Sequence, residues 1–186
     1  MQSVVSRWFG AGFEQLHPVL QALNLRGGVL AGPIEIKLGH GLARPLGRAI
    51  ARKLGIPQQA GRHSLRVEIS HRPDRLLWNR RFDDCQRMDS TFLPVGAWPN
   101  GLWMEQTGPV RLGLAVEVIE GGWYWRCRKV WLYGVRLPLA LFPHSDAYKC
   151  VEDGRYRFQV TFAVPLLGPV LSYGGLLESQ PTPAAE

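Results

Sequence analysis

Between Leu65 and Leu177 the chain places large apolar residues at every second position, a spacing that few folds can use. The segment from Arg155 to Val164 shows it most plainly: Tyr156, Phe158, Val160, Phe162 and Val164 alternate with Arg155, Arg157, Gln159, Thr161 and Ala163. Successive side chains of a strand point to opposite faces, so this pattern describes strands with one dry face and one wetter face. It predicts strands at about His63–Arg72, Arg75–Phe82, Gln86–Val95, Gly101–Thr107, Val110–Glu120, Trp123–Tyr133, Asp146–Glu152, Arg155–Pro165 and Pro169–Glu178. Arg72-Pro73-Asp74, Pro99-Asn100-Gly101, Gly121-Gly122 and Glu152-Asp153-Gly154 punctuate them as hairpin turns.

Ahead of this series, Val5, Trp8, Phe9, Phe13, Leu16, Leu20 and Leu23 recur at helical spacing; Gly10 and Gly12 weaken the helix, and Pro18 after His17 is expected to break it into two pieces. A strand over Gly28–Leu38 follows, expected to be interrupted at Gly32-Pro33 with Pro33 at an edge or bulge. The one convincing amphipathic helix is Leu42–Leu54. Leu42, Leu46, Ile50 and Leu54 form one stripe, and Arg44, Arg48 and Arg52 form another. Pro45 suits its first turn, and Gly55 and Pro57 stop it. The favoured reading docks this helix across the mouth of the sheet with its arginines in water. Peripheral membrane contact through Leu42–Leu54 is the less favoured one, because the apolar stripe has no bulky aromatic. The expected fold is mainly β (α+β): a curved antiparallel sheet, or a lipocalin-like barrel or half-barrel of about 8–10 strands with one or two covering helices. A single domain is expected over residues 1–178, with a disordered Pro/Ala-rich tail at 179–186.

Composition narrows the function more than it defines it. Apolar content of 46% and charged content of 20% are those of a globular protein. Apolar runs such as Leu137 to Phe142 fall far short of the roughly 20 residues of a membrane-spanning helix. The N-terminus lacks the pattern of a secretory signal, so a cytoplasmic location is expected. Cys85, Cys127 and Cys150 and the five histidines are scattered without metal-ligand spacing; free thiols, no metal and no cofactor are expected. The net charge of +7 is unevenly placed: residues 1–88 hold 14 basic against 6 acidic side chains, and residues 89–186 hold 8 against 9. No clustered basic stripe with aromatic platforms accompanies it, so nucleic-acid binding is not expected.

Six short motifs occur in an order that carries a family likeness: Phe13-Glu14-Gln15-Leu16-His17-Pro18, Trp78-Asn79-Arg80-Arg81-Phe82, Glu105-Gln106-Thr107-Gly108-Pro109, Leu137-Pro138, Glu152-Asp153-Gly154-Arg155-Tyr156-Arg157-Phe158, and Gly168-Pro169-Val170 through Tyr173-Gly174-Gly175-Leu176. Across nearly its whole length the chain resembles the bacterial domain of unknown function 4166. The resemblance implies a stand-alone protein or a C-terminal partner of an NAD(P)-dependent oxidoreductase domain, and it implies no activity. No GxGxxG follows a strand here, so dinucleotide chemistry would have to come from another domain or protein.

The two polar residues most out of place are Arg80 and Glu105. Trp78, Arg80 and Phe82 share one strand face, and Trp103, Glu105 and Thr107 share another. If both faces are interior, the two charges should pair, or together anchor the polar end of a lipid-like or carboxylate ligand in an apolar cavity. The aromatic summit, Trp123 to Tyr133, puts Trp123, Trp125, Cys127, Trp131 and Tyr133 on one face with Lys129 among them; core packing is the favoured reading over stacking on a ligand. No GxSxG, HExxH, P-loop or telling carboxylate pair is present, and Asp83-Asp84 reads as a solvated turn. The leading expectation is therefore a non-catalytic binding or carrier module for a small apolar ligand with a polar head, bound by Arg80, Glu105, Trp78, Trp103 and Trp125. An accessory or interaction domain for an oxidoreductase, or an enzyme with an unfamiliar site, is the alternative. A carrier requires a cavity above about 300 Å3 with Arg80 and Glu105 in its wall.

Overall fold

The alternating segments do form strands, and their pairing leaves no free edge between first and last. The computed structural model describes residues 2–141 and 143–180. Its strands are β1 (Gly28–Leu38), β2 (Gly61–His71), β3 (Leu76–Phe82), β4 (Gln86–Val95), β5 (Leu102–Thr107), β6 (Val110–Ile119), β7 (Gly122–Leu132), β8 (Val135–Leu137), β9 (His144–Glu152), β10 (Arg155–Val164) and β11 (Gly168–Gln180). Strands β1 to β7 pair in sequence order, β7 pairs β9, and β9, β10 and β11 lead back to β1, so ten antiparallel strands form a closed barrel. The short β8 pairs only with the end of β7. Closure removes the unpaired edges that an open sheet would expose.

Several connections follow directly from local chemistry. Glu120-Gly121, Tyr133-Gly134 and Asp153-Gly154 each place two successive residues at left-handed φ, the geometry of a two-residue hairpin turn that matches strand twist. The turn expected at Gly121-Gly122 thus lies one residue earlier, and Gly122 begins β7.

Four expectations are corrected. Strand β1 is neither interrupted nor at an edge: it runs through Gly32-Pro33 with Pro33 opposite Ser64 of β2, and only the ladder to β11 skips these two residues, where Pro33 has no N–H to give. Strand β11 continues past residue 178 to pair Ser179 with Leu30 and Gln180 with Val29; the rest of the expected disordered tail, residues 181–186, lies outside the described residues. The strand β8 was not foreseen. In β7 the pairing shifts between Gly113 and Leu114, a bulge that inserts one residue and flips the faces beyond it. Val130 is buried as a result, whereas Lys129 and Tyr133 are exposed.

The two ends of the barrel are closed differently. At one end α1 (Val4–Phe9), a 3-10 turn (Gly10–Gln15) and α2 (Pro18–Arg26) form a plug. It is tied on by Trp98 N–H donating to the Trp8 carbonyl at 3.0 Å and His17 N–H donating to the Gly121 carbonyl at 2.9 Å. Trp8 packs on Trp103 and Phe9 on Trp123, with ring centroids 5.4 and 4.9 Å apart. At the other end lies α3 (Ala43–Leu54), the expected amphipathic helix. Its small residues Ala43, Gly47 and Ala51 are buried, and a Cβ on Gly47 would stand 2.0 Å from the Val170 carbonyl oxygen of β11. This close approach leaves Leu46 and Ile50 facing the barrel interior, while Arg44, Arg48 and Arg52 are exposed. Among the described residues no helix is long and apolar enough to cross a membrane.

Candidate functional site

Between the plug and α3 the barrel holds a cavity of about 330 Å3, walled mostly by apolar side chains that include Val67, Met88, Phe92, Leu114 and Tyr173. Leu46, Ile50, Lys53 and Leu54 of α3 line it on one side; Leu137 of β8, Pro143 and Ser145 at the start of β9 line it on another. Its size meets what a carrier of a small molecule requires.

One wall is polar. Arg80 on β3 donates from Nη1 to Ser90 Oγ on β4 at 2.9 Å, and Ser90 Oγ stands 2.5 Å from Thr107 Oγ1 on β5. The Thr107 hydroxyl donates in turn to Glu105 Oε1 at 3.2 Å. Since the Thr107 proton is committed to Glu105, the Ser90 proton must go to Thr107, and every hydrogen bond then runs from the guanidinium toward the carboxylate. Arg80 Nη2 and Glu105 Oε1 are 4.0 Å apart, at the outer limit of an ion pair. The chain spans three adjacent strands because inward positions of neighbouring strands lie side by side.

A third charge-bearing residue lies beside this wall. Lys149 of β9 is only 2% exposed, and its Nζ has no hydrogen-bond partner. It sits instead among indoles, 3.8 Å from the Trp123 ring centroid, 4.6 Å from Trp78 and 5.6 Å from Trp125. The Arg80 guanidinium lies 5.2 Å from the same Trp78 ring. Burial, reinforced by the nearby Arg80 charge, holds the Lys149 pKa well below its ordinary value. Tyr156, also in the cavity wall, is shifted upward by burial and stays a neutral phenol.

The structure therefore brings Arg80, Glu105, Trp78 and Trp125 together in the cavity wall, and places Trp103 elsewhere, fully buried against the plug. Trp131, Tyr133 and Lys129, expected on the face of Trp123 and Trp125, lie beyond the β7 bulge. Cys127 is packed, its thiol pushed up to about 11 mainly by burial. Sequence reasoning missed Ser90 and Lys149. The alternation Ala147, Lys149, Val151 carried a signal for the lysine, since it puts Lys149 on the apolar face of its strand. Among the described residues no cluster of His, Cys, Asp and Glu stands ready for a metal ion.

The family profile described as Domain of unknown function (DUF4166) matches residues 16–177. The chain belongs to this family. Every described residue lining the cavity falls inside the DUF4166 match, whereas α1 and the 3-10 turn of the plug precede it. No curated protein matches the chain.

Proposed function

We propose that this DUF4166 barrel is a binding or carrier module for a small apolar molecule with an anionic head, such as a carboxylate. The observation that supports it is an arginine with donors to spare in the wall of a mostly apolar cavity. Arg80 spends one N–H on Ser90 and stands at arm's length from Glu105, while a guanidinium offers five donors in a fixed fork suited to carboxylate oxygens. Glu105 and the two hydroxyls fix the guanidinium in place, so a ligand would meet a prepared group. The apolar body would lie along Met88, Leu114 and Phe158 under α3.

Native mass spectrometry of the purified protein, followed by titration with a fluorescent fatty acid, tests this reading. Saturable binding is expected, weakened roughly tenfold or more by Arg80→Met, since hydrogen bonds to charged groups contribute about 1.5–3 kcal/mol. A folded protein that carries no small molecule and leaves the probe in water would refute it.

A further inference from the structure

The geometry points to a second working surface: the α3 end of the barrel docks on an anionic lipid bilayer. In an antiparallel barrel each connection belongs to one end or the other. Residues 39–60, 83–85, 108–109, 133–143 and 165–167 belong to the α3 end. Eight large apolar side chains are exposed among the described residues, and six of them, Leu42, Tyr133, Val135, Leu139, Leu166 and Leu167, lie at this end. They come from connections that are neighbours around the rim, since β1, β11, β10, β9 and β7 follow one another in the barrel. Leu166 is fully exposed at the tip of its turn.

The charge of the same arc has one sign. Residues 39–60 carry Arg44, Arg48, Arg52 and Lys53 without a single Asp or Glu, and residues 133–143 carry Arg136 and no acid. None of Arg44, Arg48 and Arg52 makes an ion pair among the described residues. The acidic pair of this end, Asp83 and Asp84, lies on the neighbouring connection between β3 and β4, on the side of α3 away from the exposed leucines, and Asp83 is already engaged by His63 and Ser64. Unpaired arginines attract an anionic leaflet, and leucines protruding beside them can enter the headgroup boundary. An acidic protein would satisfy the charge equally well. The apolar side chains, however, stand out from three separate connections, Leu166 fully exposed at a turn tip, and such protrusions suit insertion among lipid headgroups, which favours the bilayer. Docking in this orientation turns the α3 side of the cavity toward lipid. It does not require the cavity to be loaded, so it stands or falls apart from the carrier reading.

Flotation of the whole purified chain with phosphatidylcholine vesicles, with and without phosphatidylglycerol, decides the matter. Binding is expected only with phosphatidylglycerol and should fade as salt is raised. Each arginine near such a surface is worth roughly a fivefold change in partition, so R44E/R48E/R52E should abolish binding. Leu166→Ser with Leu167→Ser should weaken it with the charge intact. All five positions have exposed or half-exposed side chains, and circular dichroism will show the variants folded. Equal binding to both vesicles, no binding to either, or binding indifferent to the triple reversal would overturn the proposal. Failure of vesicle binding with fatty-acid binding retained would remove this surface and leave the carrier standing.

Discussion

Arg80 and Glu105 stand 4.0 Å apart on strands separated by β4, and their stronger connection runs through the hydroxyls of Ser90 and Thr107. Removing either charge leaves the other buried without its counterpart, which typically costs about 3–5 kcal/mol. Arg80→Met and Glu105→Gln should therefore each destabilise the fold strongly, and the double variant should lose less than their sum. Urea denaturation of the four proteins gives the coupling directly. Strict additivity would mean that the two groups act on the fold independently.

The hydroxyl chain can be tested without touching a charge. Thr107→Val keeps the shape but removes both the donor to Glu105 and the acceptor for Ser90. Leaving such buried groups unsatisfied costs about 1–3 kcal/mol. The loss should shrink when Glu105→Gln is already present, because the Thr107 hydroxyl then donates to a neutral oxygen; the same loss in both backgrounds would show that the Glu105 charge does not strengthen this hydrogen bond.

Lys149 predicts a stability that depends on pH in the alkaline direction. The unfolded amine titrates near 10.5 and the buried one well below that. Between those values the unfolded chain holds a proton that the folded chain lacks, so stability rises with pH toward 10.5 and the full penalty is felt below the folded pKa. Tyr156 works against this above pH 10.0, where the unfolded phenol ionises and the buried one does not. Cys127, whose thiol burial raises from 9.0, opposes it already above pH 9.0, so the useful window runs from neutral pH to just below 9.0. Three indoles offset the burial of the ammonium by about 0.5–2 kcal/mol each, but the lowered pKa of Lys149 means that burial still outweighs them. Lys149→Met should raise stability at pH 7 by about 1–3 kcal/mol and flatten the rise toward alkaline pH. A variant less stable than the parent at pH 7 would mean that the aromatic cage outweighs the burial.

The fold was legible because a period of two survives any detail of register, so ten of the eleven strands and α3 could be read from the chain. The site was legible only in part. Arg80 and Glu105 stood out as charges between aromatics on strands whose parity holds from end to end. Lys129 stood out for the same reason, but the bulge opposite Gly113 and Leu114 reverses the faces of β7 before that residue, and no residue type announces such an insertion. Lys149 occupies the inward place, beside Trp123 in the ladder. Trp103 looked equivalent to Trp78, yet it lies toward the plugged end, and where a helix will dock on a barrel is fixed by tertiary packing.

Gly47 is the point on which the seating of α3 turns. Alanine is ordinarily worth about 1 kcal/mol more than glycine inside a helix. Here its Cβ would fall 2.0 Å from the Val170 carbonyl oxygen, a backbone atom that cannot swing away. Gly47→Ala should lift α3 from β11 and destabilise the protein by about 1–3 kcal/mol in spite of the better propensity. If helix propensity wins and stability rises, the helix rides higher on the barrel than this contact implies.

Ala147 separates the cavity from the fold that surrounds it. Its side chain lines the cavity, and its neighbours in the ladder are Trp125 on one side and Val160 on the other. Filling unoccupied space adds contacts without the strain of forcing a larger side chain into a packed core, so Ala147→Trp should keep stability within about 1.5 kcal/mol of the parent. The added indole would take a large share of the 330 Å3. Binding of the fluorescent fatty acid should then fall sharply, while vesicle flotation, which depends on the rim, should not change. Loss of both properties together would show that the interior and the rim are coupled, and retained fatty-acid binding would place the probe outside the barrel.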